Sequence, residues 1–335
     1  MTKTTKPVAL VIGASRGIGR QIAIDLAQAG YAVVVAAKSQ SSSPSPSLSP
    51  FPPEPNSRSS TINTVEDEIR SAGGEAIAIA VDVTDSSSVN HLLDQTISRF
   101  NALDVLIYNP GAIWWASVDD TPLKRYQLMH RVNSEGLYAA VQAALPHLTL
   151  SKKGGRIVVV SPPIYSRFFR GKTAYAMTKV AMSVLTKGLA MDFERQGMRD
   201  MAITSIWPAV VSFAFLTSIL WSVMLMNRKS IESAATEQFT LRDPAFARDL
   251  RKPTIFSDAI LAMLNTPASV VNGQLELDED FLRRYAGVDD FSKYSVVPGS
   301  SPRRIMPALL PDLTIPEQDD EGMRHDSAKE RRTKL

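Results

Sequence analysis

The chain has 335 residues, 44% of them apolar and 21% charged, enough to bury a full core as one large domain. It contains no cysteine, which excludes a disulfide, a thiolate nucleophile and a thiolate-held zinc or iron–sulfur site, and fits a reducing, cytoplasmic setting. A net charge of +3, with its densest basic run at residues 324–334, leaves no footprint for nucleic acid, and His91, His130, His147 and His325 lack metal-ligand spacing.

Residues 8–12, VALVI, form an apolar run that reads as a strand rather than a secretion signal. It ends in Gly13, and after Ala14, Ser15 and Arg16 the pair Gly17 and Gly19, flanking Ile18, opens a predicted helix through residue 30. A strand, a tight turn and a helix N-terminus leave unpaired backbone N–H groups at the positive end of the helix dipole, so a phosphate is the natural occupant. Glycine is needed there because a side chain would block the anion. A second apolar strand, residues 31–38, ends in Lys38. In dinucleotide folds this strand end meets the adenosine ribose, where an acid suits a 2′-hydroxyl and a cation a 2′-phosphate. With Lys38 and Arg16 as candidate cations, NADP(H) is favoured over NAD(H); the bland alternative is a pair of solvated surface charges.

Residues 39–60 are a Ser/Pro tract with little to bury, read as a disordered insertion that divides no domains. A helix over 61–74 and a strand over 75–83 follow, with Asp82 placed either to accept from an adenine amino group or to cap the next helix. Next come a helix to Phe100, a strand over 104–108, the turn Asn109-Pro110-Gly111, a long helix over 124–145, a strand over 156–161, a helix over 173–195 and a strand over 201–207. A helix over 257–265 and a last strand over 272–280, its acids a solvated strand end, close the pattern. Such regular alternation predicts an α/β fold with a doubly wound parallel sheet flanked by helices, a single domain over 1–295, and a poorly ordered tail over 296–335.

Tyr175 and Lys179 are four residues apart in a predicted helix and so share one face. An ammonium beside a phenol stabilises the phenolate and draws the pKa down from about 10. Ser161 ends a strand, where its hydroxyl could hold a carbonyl oxygen, and Asn133 sits mid-helix against its propensity. Each also has a bland reading: a surface pair, a turn residue, a solvated amide. Residues 13–17, GASRG, equally fit a nucleophile elbow with Ser15 as a hydrolase nucleophile, although the histidines that would complete it lie on predicted helices or in the tail.

Taken together these stretches resemble the short-chain dehydrogenase/reductase family over residues 7–290, and in particular its hydroxysteroid-dehydrogenase-like members. The glycine turn GASRGIG stands for TGxxxGxG, Asp82-Val83 and Asn109-Pro110-Gly111 for two further motifs, and Asn133, Ser161 and the run 175–179, YAMTK, for the catalytic set. The resemblance implies a Rossmann-type fold and NADP(H)-dependent hydride transfer to or from a small hydrophobic carbonyl or alcohol, with Tyr175 as general acid/base. Lys179 would lower the Tyr175 pKa and hold the nicotinamide ribose, Ser161 would orient the oxygen and Asn133 would order a relay water. Gly13, Ser15, Arg16, Gly17, Ile18, Gly19, Lys38, Asp82 and Asn109 would line the cofactor, and the chain would form a homo-oligomer. Ile12, Tyr108 and Pro110 depart from the family pattern. A rival of another class is a catalytically idle NADP(H)-binding sensor or scaffold.

Between Asp200 and Arg228 no residue is charged, and residues 209–226 have the length of a membrane span. Removing 211–229 joins residues 207–210 to 230–237 in a pattern of the branch the chain resembles, and the segment starts Val-Ser and ends Lys, as a short intron translated in frame could. An apolar lid helix and a membrane-contacting element are the alternatives. Thr333-Lys334-Leu335 is one residue from the peroxisomal address Ser-Lys-Leu, which sets peroxisome beside cytoplasm.

Overall fold

Alternate residues of Val8–Ile12 (β1) feed two separate cores, as period-two geometry requires of a strand covered on both faces. A computed structural model describes residues 5–41, 59–209 and 244–314. Residues 42–58 of the Ser/Pro tract, 210–229 of the apolar segment, His325 and Thr333-Lys334-Leu335 lie outside the described residues. Among the described residues seven strands form one parallel sheet in the order β3-β2-β1-β4-β5-β6-β7. They are β1, β2 (Ala32–Ala37), β3 (Glu75–Ala80), β4 (Val105–Tyr108), β5 (Arg156–Val160), β6 (Ala202–Trp207) and β7 (Leu275–Leu277). The α/β doubly wound expectation is met. Strand order reverses between β1 and β4, so the crevice at the carboxyl ends of those two strands is where a ligand belongs.

Ala9 and Val11 pack with α1 (Gly17–Gln28), α2 (Ile62–Ser71) and, from far along the chain, α7 (Thr254–Asn265). Val8, Leu10 and Ile12 pack with α3 (Ser86–Phe100), α5 (Gly136–Leu148) and α6 (Thr173–Arg195). Buried apolar area on both faces, at about 25 cal/mol per Å², is what holds the layers together.

The single long helix expected over 124–145 is instead α4 (Leu123–His130), one turn of wider π winding at Arg131–Glu135, and α5. Tertiary contacts account for the break. Tyr108 Oη donates to Val132 O (2.6 Å), and a Cβ on Gly136 would stand 2.6 Å from that same Oη, so the chain widens where it crosses the end of β4. Tyr108, a departure from the family pattern, is thus a built-in support of this turn.

The last strand is shorter than expected, and its acids are not solvated. Asp278 begins a helix, α9 (Asp278–Ala286), after the four-residue α8 (Ala268–Val271), and three acids in its first turn complement the helix dipole. Glu276, Asp278 and Glu279 are buried. Glu276 pairs with Arg284 and Glu279 with Arg251, while Asp278 Oδ1 accepts from the N–H groups of Ala209 (2.8 Å) and Glu279 (2.7 Å). Burial pushes the Asp278 carboxyl up to about 7.

Residues 296–306 are also packed, against the expectation of a loose tail from 296. The Val296 N–H donates to Leu250 O, Arg304 Nη2 donates to Asp280 Oδ2 (2.8 Å), and Ile305 and Met306 both donate to Ala209 O. Met306 is buried beside Leu277. These partners lie remote in sequence, so local composition did not announce them. Among the described residues no helix is long and apolar enough to cross a membrane.

Candidate active site

The glycine turn sits at the carboxyl end of β1. Gly13 has φ +83° and Gly17 φ +56°, the left-handed region where glycine is at ease. Gly13 and Ala14 N–H groups donate to Ala36 O on β2, at 2.7 and 3.1 Å. Gly19 is needed for a different reason: a Cβ there would stand 2.1 Å from Gly13 O. Arg16 is the N-cap of α1 and its side chain makes no capping bond. No described residue accepts from the backbone N–H groups of Gly17, Ile18 and Gly19. That is the cradle an anion would fill, and the buried Ser15, whose carbonyl accepts from Ser60 Oγ, closes one side of it. From β4, Asn109 Nδ2 donates to Gly13 O (3.0 Å) and locks the turn to the strand across the switch point.

At the end of β2 two cations stand as the sequence suggests. Lys38 Nζ lies 2.6 Å from Asp82 Oδ2 with its side chain 79% exposed, and Arg16 Nη2 donates to Ser39 Oγ at 3.3 Å. Asp82 Oδ1 also accepts from Thr84 Oγ1 and Thr84 N–H. The Lys38 hydrogen bond, with help from Thr84, holds the Asp82 carboxyl down at about 2. Two residues predicted to touch the cofactor therefore touch each other.

The four candidate catalytic residues are buried at the same sheet edge. Ser161 follows β5 directly, and Ser183, two turns along α6 from Tyr175, lies with its Oγ 2.9 Å from Ser161 Oγ and 2.6 Å from Pro162 O. Lys179 Nζ donates to Val160 O (2.9 Å), which fixes the ammonium beneath the strand end. A Cβ on Gly111 would stand 3.4 Å from that Nζ and 3.8 Å from Asn133 Oδ1, so the β4 turn, the π turn and α6 meet at one point. Asn133 Oδ1 accepts from Ala112 N–H (2.8 Å), and its Nδ2 donates to Ala112 O and to Thr178 Oγ1. Both ends of the amide are engaged, so in this arrangement Asn133 clamps the β4 turn to α6.

Tyr175 is 1% exposed, with Trp115 edge-on to its ring at 5.9 Å and Phe168 at 6.3 Å. No described residue hydrogen-bonds its hydroxyl. Burial pushes the phenol up, against the expectation that Lys179 lowers it. The physical reason is that desolvation opposes the phenolate while the Lys179 ammonium faces a backbone carbonyl. Sequence reasoning did not single out Thr178, Ser183 or Phe168, which complete the packing and hydrogen bonds of this site; the helical spacing of Thr178 and Ser183 from Tyr175 was the available signal.

Among the described residues no hydrolase centre is assembled around Ser15. His91 Nε2 pairs with Gln95 and His130 Nδ1 with Ser134, both on exposed helix surface, and neither is bonded to Ser15.

A cofactor cradle at the β1–β4 switch point and a Tyr-x-x-x-Lys face on α6 together define a nicotinamide-dependent reductase scaffold. The chain matches the family described as short chain dehydrogenase over residues 7–45 and 56–220, and it belongs to that family of nicotinamide-using oxidoreductases. Among curated proteins it is 32% identical over 317 residues to hydroxysteroid dehydrogenase-like protein 2 of Danio rerio, covering 94% of this chain and 65% of that protein. The chain thus spans less than two thirds of that relative's length. A putative dehydrogenase from Xanthomonas campestris superposes with a TM-score of 0.68 at 30% identity, covering 95% of this chain and 100% of the other. A short chain dehydrogenase from Mycobacterium thermoresistibile gives 0.70 at 32% identity, covering 88% and 92%.

Proposed function

We propose that the chain is an NADP(H)-dependent oxidoreductase acting between a carbonyl and an alcohol of an apolar substrate, with Tyr175 as general acid/base. The observation that carries this reading is the convergence of Ser161, Tyr175, Lys179 and Asn133 at the sheet edge that also bears the uncapped N-terminus of α1. Bound in that cradle, the nicotinamide cofactor supplies the hydride. Ser161 orients the substrate oxygen and Tyr175 Oη gives it a proton as the carbonyl carbon is reduced. A phenol whose pKa is raised by burial keeps its proton at neutral pH, which is the form reduction requires. Lys179 would hold the ribose and would offset charge on the phenolate once the proton has left, and the clamp at Asn133 keeps the β4 turn in place for a relay water. Reduction of a panel of apolar ketones, followed by loss of reduced cofactor, tests the reading. The rival, an idle NADP(H) binder, draws on the near-complete burial of Tyr175 and predicts binding without turnover.

Lys38 and Arg16 support the choice of NADP(H). Lys38→Asp removes a cation and sets a second carboxylate beside Asp82, so the NADPH-to-NADH ratio of kcat/KM is expected to fall about tenfold or more. An unchanged ratio removes Lys38 from 2′-phosphate recognition.

A homo-oligomer is proposed on the same terms. Met177, Val184 and Met191, spaced seven residues apart on α6, are 55%, 57% and 43% exposed, an apolar stripe that a lone chain would leave in water. Val184→Glu is expected to halve the mass measured by light scattering; a wild-type chain that is already monomeric sinks the proposal.

A further inference from the structure

Lys172 is the N-cap residue of α6, three positions before Tyr175, and its environment suits a cation poorly. It is half-buried, and its Nζ lies 4.1 Å from the centroid of the Phe168 ring and 5.6 Å from that of Trp115, the two rings that flank Tyr175. No described residue hydrogen-bonds or ion-pairs with its Nζ. It also stands at the positive end of a 23-residue helix, where a cation is disfavoured. Ring faces return only part of what an ammonium loses on leaving water, and burial draws the Lys172 pKa down to about 8, so it is still largely charged at neutral pH.

The surrounding groups add to the imbalance. Arg125 stacks on Trp114 at 4.6 Å, and the buried Trp114 Nε1 has no acceptor. Arg167, beside Phe168, donates to Ile305 O, and Arg170 is exposed. The acids of the loop after Trp115, Asp119 and Asp120, are exposed, and Asp120 is bonded to Ser117. Among the described residues, then, the aromatic cluster around Tyr175 gathers the cations Lys172 and Arg125 with no carboxylate paired to either.

We propose that Lys172 is a specificity residue that binds an anionic group on the substrate, so that the preferred substrate is an apolar oxo or hydroxy compound carrying a carboxylate. An anion there neutralises the ammonium, meets the helix dipole with the right sign and offers an acceptor to the Trp114 side of the cluster, while Trp115 and Phe168 cover the apolar body. The substrate class rests on the reductase reading above, but the binding preference does not need turnover to be measured.

Decanoate and 1-decanol, titrated into the full chain without cofactor and followed by tryptophan fluorescence, share one apolar body and differ in charge. Decanoate is expected to bind about tenfold tighter or more. Lys172→Met is expected to erase that preference and Lys172→Arg to keep it. Equal affinities in the wild type, no binding of decanoate, or a preference that survives Lys172→Met would each overturn the proposal. In turnover, the kcat/KM ratio of a medium-chain oxo acid over its methyl ester is expected to collapse toward one in Lys172→Met. Failure of the reductase reading looks different: cofactor is not oxidised with either substrate, while the decanoate preference and its loss in Lys172→Met persist.

Discussion

Tyr175→Phe is expected to lower ketone reduction by roughly a hundred- to ten-thousandfold, the range for losing a positioned general acid. The substitution is a clean one here. Phenylalanine keeps the ring that Trp115 meets edge-on at 5.9 Å and that Phe168 meets at 6.3 Å, so the aromatic cluster stays packed. The hydroxyl has no hydrogen-bond partner among the described residues, so its removal orphans no buried group. Thermal stability and NADPH affinity should therefore stay near the wild-type values while kcat falls. A variant that retains activity within about twofold would remove Tyr175 from the proton transfer. Unaltered NADPH binding by a wild-type protein that reduces no carbonyl would favour the idle binder instead.

Much of the fold was legible because the information is local. A run such as VALVI, buried on both faces, can only be an interior strand, and the alternation of such runs with amphipathic segments dictates parallel connections. The glycine turn was legible for the same reason, since its spacing encodes φ values and close approaches within seven residues. What escaped depends on partners far along the chain. The π turn follows from Tyr108 reaching Val132 across 24 residues, and the order of residues 296–306 from contacts such as Tyr165 Oη to Met306 Sδ, 141 residues apart. Helical spacing put Tyr175 and Lys179 on one face correctly but carried no information on burial. The burial that pushes the phenol up belongs to the packed cluster with Trp115 and Phe168, which the motif does not encode. The same limit hid Lys172, whose neighbours are aromatic rings from another loop and a 3₁₀ turn at Ser166–Phe169.

Gly19→Ala is expected to disturb the fold and the anion cradle together, through a single methyl group. A Cβ at this position would lie 2.1 Å from Gly13 O, 2.9 Å from Gly13 C and 2.7 Å from Asn109 Nδ2, and two of these atoms are backbone that cannot rotate aside. To admit the methyl, α1 must move away from β1, which loosens the packing of Ile22, Ala23 and Leu26 in the core and strains the Asn109–Gly13 bond across the switch point. Overpacking of this kind costs about 1–3 kcal/mol. The expected result is a lowered denaturation midpoint together with weaker NADPH binding, because the same movement carries the N–H groups of Gly17 and Ile18 away from their anion. Gly188→Ala on α6 is the control: nothing lies within 4 Å of its Cβ position, and replacing a helix-interior glycine by alanine gains about 0.5–1 kcal/mol. If Gly19→Ala matched the control in both midpoint and NADPH affinity, the close approach of α1 to the end of β1 would not be what shapes the cradle.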